Sequence, residues 1–334
     1  MKSIVFLLFC ILSLAARAES CDSKGPNVIL FTWDGVRTDE FFKGTGLFHA
    51  LQLPKSERGE IFSKFWSTHA KEGVVFGKKG NYSIGSDIAI SLPSYQAIMT
   101  GESTHCRKNN CENIKNQSVL ESVRQSLKLE KKDVAVFASW DRMSAAVAAD
   151  LGSITHGIYP ETFDDGTDDP LNKQIQQESL ADLPEWHGSR KDKYTFALGM
   201  HYLKTSCPRL LYISLVDSDE FGHAKKYPDY VRSLRTYDGY LDEMIDVLKK
   251  LGAYGDKTTL IVTTDHSRGV GPLWYDHGTN SNSEKNVFLY ARGRGVSPVG
   301  NSNEDGNHNQ LKATIEYLLG IKPTGKILPG FKVD

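Results

Sequence analysis

The chain has 334 residues, with 40 Lys and Arg against 41 Asp and Glu and a formal net charge of −1. That balance lacks the excess of positive charge on which nucleic-acid binding and attachment to anionic membranes depend, and it argues against both. A hydrophobic content of 40% is that of a globular chain with a sizeable core rather than a disordered one.

The first residues read as a targeting segment. Met1-Lys2 is a positive start, residues 4–14 are an apolar run, and Ala16-Arg17-Ala18 is a small-x-small cleavage site. A signal peptide over residues 1–18, cleaved after Ala18, makes the mature protein secreted or periplasmic. The run is too short for a membrane span and no second one follows, so no transmembrane segment is predicted. Glu19-Ser20 do not suit a lipidated cysteine at Cys21. Cys10 leaves with the leader, and Cys21, Cys106, Cys111 and Cys207 remain, an even number that favours disulfides in an exported chain. Cys106–Cys111 would close a short loop and Cys21–Cys207 would pin the N-terminus; the other pairings stay open. A thiolate zinc site is the weaker reading, because no CxxC pair occurs.

Asn27 to Trp33 is a near-continuous apolar run, the signature of a strand buried on both faces, and Asp34-Gly35 ends it. Residues 55–65 are mixed and read as surface. Residues 78–91 read as a loop leading to a short helix over Pro93–Met99, with proline in its first turn, Gly101 as its stop and Ser91 at or just before its N-terminus. A helix follows at 118–127, a strand at 133–140 and a helix at 143–151. Residues 152–190 show little periodicity and read as an insertion or lid. A helix at 194–203 leads to a strand at 210–216 that ends in Asp217-Ser218-Asp219. From Asp229, apolar residues recur at helical spacing to Gly252. A strand at 258–264 ends at Asp265-His266, another covers 287–291, and a helix over 310–319 closes the chain.

Strands alternate with helices, and the strands are continuous rather than alternating apolar runs. This predicts an α/β fold, a mostly parallel central sheet with helices on both faces, as one domain over residues 19–334. Ligands of such sheets bind beyond the carboxyl ends of the strands. Three strands carry acids there, Asp34, Asp219 and Asp265, joined by His223, His266 and His277. Carboxylates with neutral imidazoles suit Zn²⁺ and also accept Mn²⁺. Six such groups exceed what one catalytic zinc takes and match two divalent metal ions. Ser91, before a helix N-terminus that favours anions, is the natural nucleophile.

FTWDGVRTDEF resembles the first metal-binding strand of nucleotide pyrophosphatase/phosphodiesterases, and SLPSYQAIMTG resembles their nucleophile segment. DSDEFGH, and DH followed by a further histidine eleven residues on, resemble elements of phosphopentomutases. The motifs run in order from Asn27 to about Gly293, and on them the chain resembles the alkaline phosphatase superfamily, binuclear-metal branch. The resemblance implies one metal on Asp34, Ser91, Asp265 and His266 and a second on Asp219, His223 and His277. It implies a phosphatase or phosphodiesterase that acts on a small-molecule phosphate ester through a phosphoserine on Ser91, which water then hydrolyses.

Some positions depart from the pattern. A sulfatase carries Ser or Cys-x-Pro-Ser-Arg, and here Tyr95 stands where the arginine belongs; a sulfatase-like ester hydrolase is the first alternative. A non-catalytic binding domain on the same scaffold is the second, and it predicts missing ligands. His308 is an alternative to His277 as the last ligand, and Asp217 competes with Asp219. Asn110 and Arg142, and more weakly Lys79 and Asn113, are candidate contacts for phosphate oxygens. The sequence is silent on the natural substrate and on oligomeric state.

Overall fold

A computed structural model describes residue 21 and residues 25–45, 56–161, 163, 169–279 and 281–333. The signal segment lies outside the described residues. The strands are β1 (Asn27–Trp33), β2 (Gly73–Phe76), β3 (Tyr82–Ser83), β4 (Val134–Ala138), β5 (Thr155–Ile158), β6 (Leu210–Leu215), β7 (Thr258–Thr263), β8 (Leu289–Gly293), β9 (Gly300–Asn301) and β10 (Gly306–Asn307). Eight form one sheet in the order β5-β4-β6-β1-β7-β8-β2-β9, while β10 and β3 pair separately. Within the large sheet β8 runs antiparallel to β7 and β2, and the other pairings are parallel.

The expected α/β architecture is therefore observed, and the period of two along β1 shows how both faces are covered. Ile29, Phe31 and Trp33 belong to one core, while Val28 and Leu30 belong to the other. The first core is closed by helices Asp192–Ser206 and Tyr227–Lys250, the second by helices Ser91–Thr100, Val119–Ser126 and Leu311–Leu318. Full burial of each large aliphatic or aromatic side chain in these layers contributes about 1.5–3 kcal/mol.

Three segments differ in detail from expectation. Residues 56–65 are surface only in part: Ile61, Phe62 and Phe65 are buried, on short helices Arg58–Ile61 and Ser63–Ser67 packed beside Trp33 and Phe41. Their apolar positions lie on two single helical turns, too short to show a period. The expected helix at 143–151 is one turn, Ser144–Val147. The described part of residues 152–190, the expected insertion or lid, contains the edge strand β5, paired to β4, and helix Pro170–Ala181, which Asp169 caps and which packs on helix Asp192–Ser206. Residues 182–190 approach the carboxyl edge, where the Trp186 ring meets Phe221 edge-on.

The cysteines pair as Cys21–Cys207 and Cys106–Cys111. Among the described residues no helix is long and apolar enough to cross a membrane.

Candidate metal centre

Register places the site. Trp33 pairs with Leu215 and Thr32 with Thr263, so the residues that follow β1, β6 and β7 emerge level with one another on three adjacent strands. Asp34, Asp265 and His266 leave the sheet there directly. Asp219 and His223 sit on the short helix Asp217–His223, where a separation of four residues puts both on one face.

Two groups of three result. Asp34, Asp265 and His266 are all buried, and Asp219, His223 and His277 lie beside them, with the donor atoms of each group within 4.8 Å of one another. His266 Nε2 is 3.5 Å from Asp34 Oδ1 and 3.4 Å from Asp265 Oδ2. His223 Nε2 is 3.0 Å from Asp219 Oδ2 and 3.1 Å from His277 Nε2. The His266 and His277 rings stack at 3.9 Å and join the groups. Ser91 Oγ stands 3.1 Å from His266 Nε2 and 3.4 Å from Asp34 Oδ1, at the first position of helix Ser91–Thr100.

The electrostatics are those of a buried, crowded donor set. Burial, then Asp265 and Asp219, pushes the Asp34 carboxyl well above its ordinary value. Burial and Asp219 push Asp265 up to about 7, and its Oδ2 has no hydrogen-bond donor. Burial and the His277 ring hold His266 well below the usual histidine range, and burial also lowers His277. Burial acts to raise Asp219, but Arg268 and His223 outweigh it and hold the carboxyl low. Imidazoles held neutral at His266 and His277, a His223 ring raised by the Asp219 carboxylate, and crowded carboxylates with one unpartnered oxygen are a donor set that divalent cations fit.

Sequence reasoning missed Arg268. It is 1% exposed and donates to the Asp219 carboxylate, to the Asp219 carbonyl at 2.8 Å, to the Gly35 carbonyl at 3.2 Å and to the Tyr275 carbonyl. Its cradle explains two motif glycines. Gly35 has φ +64°, and a Cβ there would collide with Asp219 Oδ1 and come within 3.0 Å of Arg268 Nε. A Cβ on Gly222 would come within 2.6 Å of Arg268 Cζ. The only signal in the sequence was indirect: the glycines of Asp34-Gly35 and Gly222-His223 imply a bulky neighbour that must lie close. One ammonium cannot serve four acceptors in the way the guanidinium fork does. We expect Arg268→Lys to weaken metal binding to the Asp219 group by about 10–100-fold. Metal titration that resolves two affinities checks this; equal affinities in variant and wild type would refute the role.

The remaining expectations divide. His277 joins His223, whereas His308 is buried against the Thr263 hydroxyl at 3.3 Å and pushed down to about 3 by burial, outside both groups. Asp217 Oδ2 accepts from the Asp192 amide and so turns toward that residue, leaving Asp219 to the centre. Arg142 donates to the carbonyls of Asn109 at 2.9 Å and Cys111 at 2.6 Å, which makes it the brace of the Cys106–Cys111 loop. Asn109, not Asn110, reaches the helix that begins at Ser91: its Oδ1 accepts the Leu92 amide at 3.0 Å, and Asn110 lies exposed in the same loop. Asn113 is also exposed, and Lys79 lines a neighbouring cavity. Tyr95 is fully buried, its phenol pushed well above the ordinary value by burial and by Asp265 and Asp34, and it brings no cation.

Residues 193–323 match the metalloenzyme superfamily. The fold is similar over 91% of this chain and 76% of its counterpart to the phosphonate monoester hydrolase SpPMH from Silicibacter pomeroyi, with a TM-score of 0.59 at 13% identity. The fold is alkaline phosphatase-like, and the superfamily match covers residues 193–323. Among other solved structures, a putative sulfatase from Bacteroides thetaiotaomicron matches this chain with a TM-score of 0.60 at 14% identity, over 91% of this chain and 74% of that one. A phosphopentomutase from Shewanella loihica is 29% identical over 115 residues, which is 34% of this chain and only 25% of that protein. The matched superfamily implies divalent metal binding, and the two groups of donors are where it would occur.

Proposed function

We propose that this protein is an exported hydrolase of phosphoric esters, with Ser91 as nucleophile and two divalent cations, Zn²⁺ by donor type, held by the two groups of residues. One observation carries the reading: a buried hydroxyl at a helix N-terminus stands against one donor group while the second group lies alongside.

Asp34, Asp265 and His266 would hold one cation beside Ser91, and Asp219, His223 and His277 the other. When bound, such cations neutralise charge on the phosphoryl oxygens and assist both the entering and the leaving oxygen. The chain's own residues set the rest. The Ser91 Oγ–P bond forms as the bond from phosphorus to the leaving oxygen breaks; the serine proton departs, and the leaving oxygen takes one up. Water then cleaves the Oγ–P bond, releases phosphate or its monoester and restores the hydroxyl. The amino end of helix Ser91–Thr100 stabilises the phosphoserine dianion, and Asn109 holds that end by accepting from Leu92. Arg268 fixes Asp219 toward the centre.

Export is supported by the leader-like residues 1–18 and by cysteines that pair as oxidised partners. Assays of p-nitrophenyl phosphate, its bis-ester and p-nitrophenyl sulfate, with and without a chelator, test the proposal. We expect chelator-sensitive turnover of at least one phosphate ester. Activity confined to the sulfate would overturn it in favour of a sulfatase, and activity on none would favour a binding domain.

A further inference from the structure

Beside the metal centre lies a cavity of about 580 Å³ that the proposed chemistry does not use. Its walls come from the segments following β1, β2 and β7 and preceding the antiparallel β8, so it opens on the same carboxyl edge of the sheet as the metal donors. Arg268 lines it, and the same guanidinium holds Asp219. The two sites therefore share a wall.

The charge in this wall is unbalanced. Arg37 is paired with Glu40 at 2.6 Å and Asp39 at 3.3 Å, Lys43 with Asp39 at 2.9 Å, and Arg268 with Asp219. Lys78 and Lys79 have no acidic partner among the described residues. They occupy the middle of a turn closed by the Gly80 amide on the Gly77 carbonyl at 3.0 Å, and Asn81 clamps it by accepting the Gly77 amide at 3.1 Å and donating to the Ser302 carbonyl at 3.3 Å. Gly80, at φ +71°, lets the turn lie against the Asn286 side-chain amide, to which a Cβ would come within 3.1 Å. A fixed turn thus presents two uncompensated ammonium groups and a nearby amide donor to a cavity at the ligand-binding edge.

We propose that this cavity is a second anion subsite, which takes a phosphate, sulfate or carboxylate carried by the substrate away from the bond that is cleaved. The inference deepens the reading of Ser91 as an esterase nucleophile and rests on it. From β7 to β2 is two strand spacings, roughly 10 Å, so the anionic group would sit at the end of an arm about one or two sugar units long. Ammonium groups recognise charge without the planar geometry that arginine imposes, so all three anions belong to one ligand class.

The test uses the metal-loaded mature protein and aryl phosphodiesters whose second arm ends in a phosphate, a sulfate, a carboxylate or an uncharged hydroxyl. In wild type, kcat/KM for the charged arms is expected to exceed that for the hydroxyl arm by about 10-fold at low salt, and the advantage should shrink as ionic strength rises. In the double variant K78A/K79A the ratio falls toward one, mainly through KM; the three charged arms show which anion is preferred. An unchanged ratio in the variant overturns the subsite. Should wild type cleave none of these esters, the esterase reading fails on its own. Binding of inositol hexasulfate, measured by calorimetry, then decides for the cavity: weaker binding to K78A/K79A supports it, and equal binding to both proteins sinks it.

Discussion

Ser91→Ala is expected to lower ester turnover by about 1,000-fold or more while both groups of metal donors stay in place. The magnitude follows from what a nucleophile supplies: with its oxygen gone, the covalent route closes, and the remaining groups support only slow direct attack by water. The geometry supports a selective effect. Ser91 is 3% exposed, and its hydroxyl meets His266 and Asp34, so alanine removes one oxygen without disturbing the three protein donors beside it. The helix that begins at Ser91 keeps its own support, because the Leu92 amide is satisfied by Asn109 and the Ser94 amide by the Ile90 carbonyl. The measurement has two parts. Steady-state turnover of p-nitrophenyl esters gives the loss, and mass spectrometry of acid-quenched wild type should find one phosphoryl group on the peptide containing Ser91 and none in the variant. Metal analysis separates loss of the nucleophile from loss of the centre. A variant that retains wild-type turnover would remove Ser91 from the mechanism.

How much of this was legible before any coordinates depended on the kind of signal involved. β1, β6 and β7 are buried on both faces, so their sequences are largely apolar, with only Asn, Ser and Thr between, and the acids that follow them marked the carboxyl edge. The antiparallel direction of β8 was not legible, because strand direction leaves no trace in residue type. β2, Gly73–Phe76, was too short to stand out, and β5 reads Thr-His-Gly-Ile, which has no apolar face to speak of. The site divides in the same way. The six side chains that the structure gathers into two groups, Asp34, Asp219, His223, Asp265, His266 and His277, were named as candidate donors from residue type and order. Residues that act through others were not. Arg268 lies in a Gly- and Pro-rich loop where a charged residue is unremarked, and its role appears only when Gly35 and Gly222 are seen to close around it. Asn109 was missed for its neighbour because an exposed loop has no periodicity to fix which amide turns inward.

That crowding leads to the second large effect. Asp34→Asn should abolish ester turnover, by about 100-fold or more, and yet make the metal-free protein more stable. Asp34 and Asp265 are 1% and 0% exposed, their functional groups share the space around His266, and the one nearby guanidinium is engaged by Asp219. Without cations, ionising both carboxylates costs free energy that the fold must absorb; replacing one buried charge by a neutral isostere relieves about 1–4 kcal/mol. The pH dependence has a definite sign. Carboxyl groups whose folded pKa is raised favour folding while protonated, so the metal-free wild type loses stability as pH rises from the ordinary carboxylate range through the folded value, about 7 for Asp265. Asp34→Asn removes the group that burial raises well above its ordinary value and flattens that decline. Cations reverse the order of the two proteins. At free metal 1,000-fold above its dissociation constant, wild type gains about 4 kcal/mol, a gain largely denied to the variant. Urea unfolding at pH 5 and pH 8, with chelator and with added Zn²⁺, reads all four combinations. A chelated variant less stable than chelated wild type at pH 8 would mean that Asp34 serves the fold rather than a cation, and a wild type indifferent to metal would leave these six donors without the ligand they are arranged for.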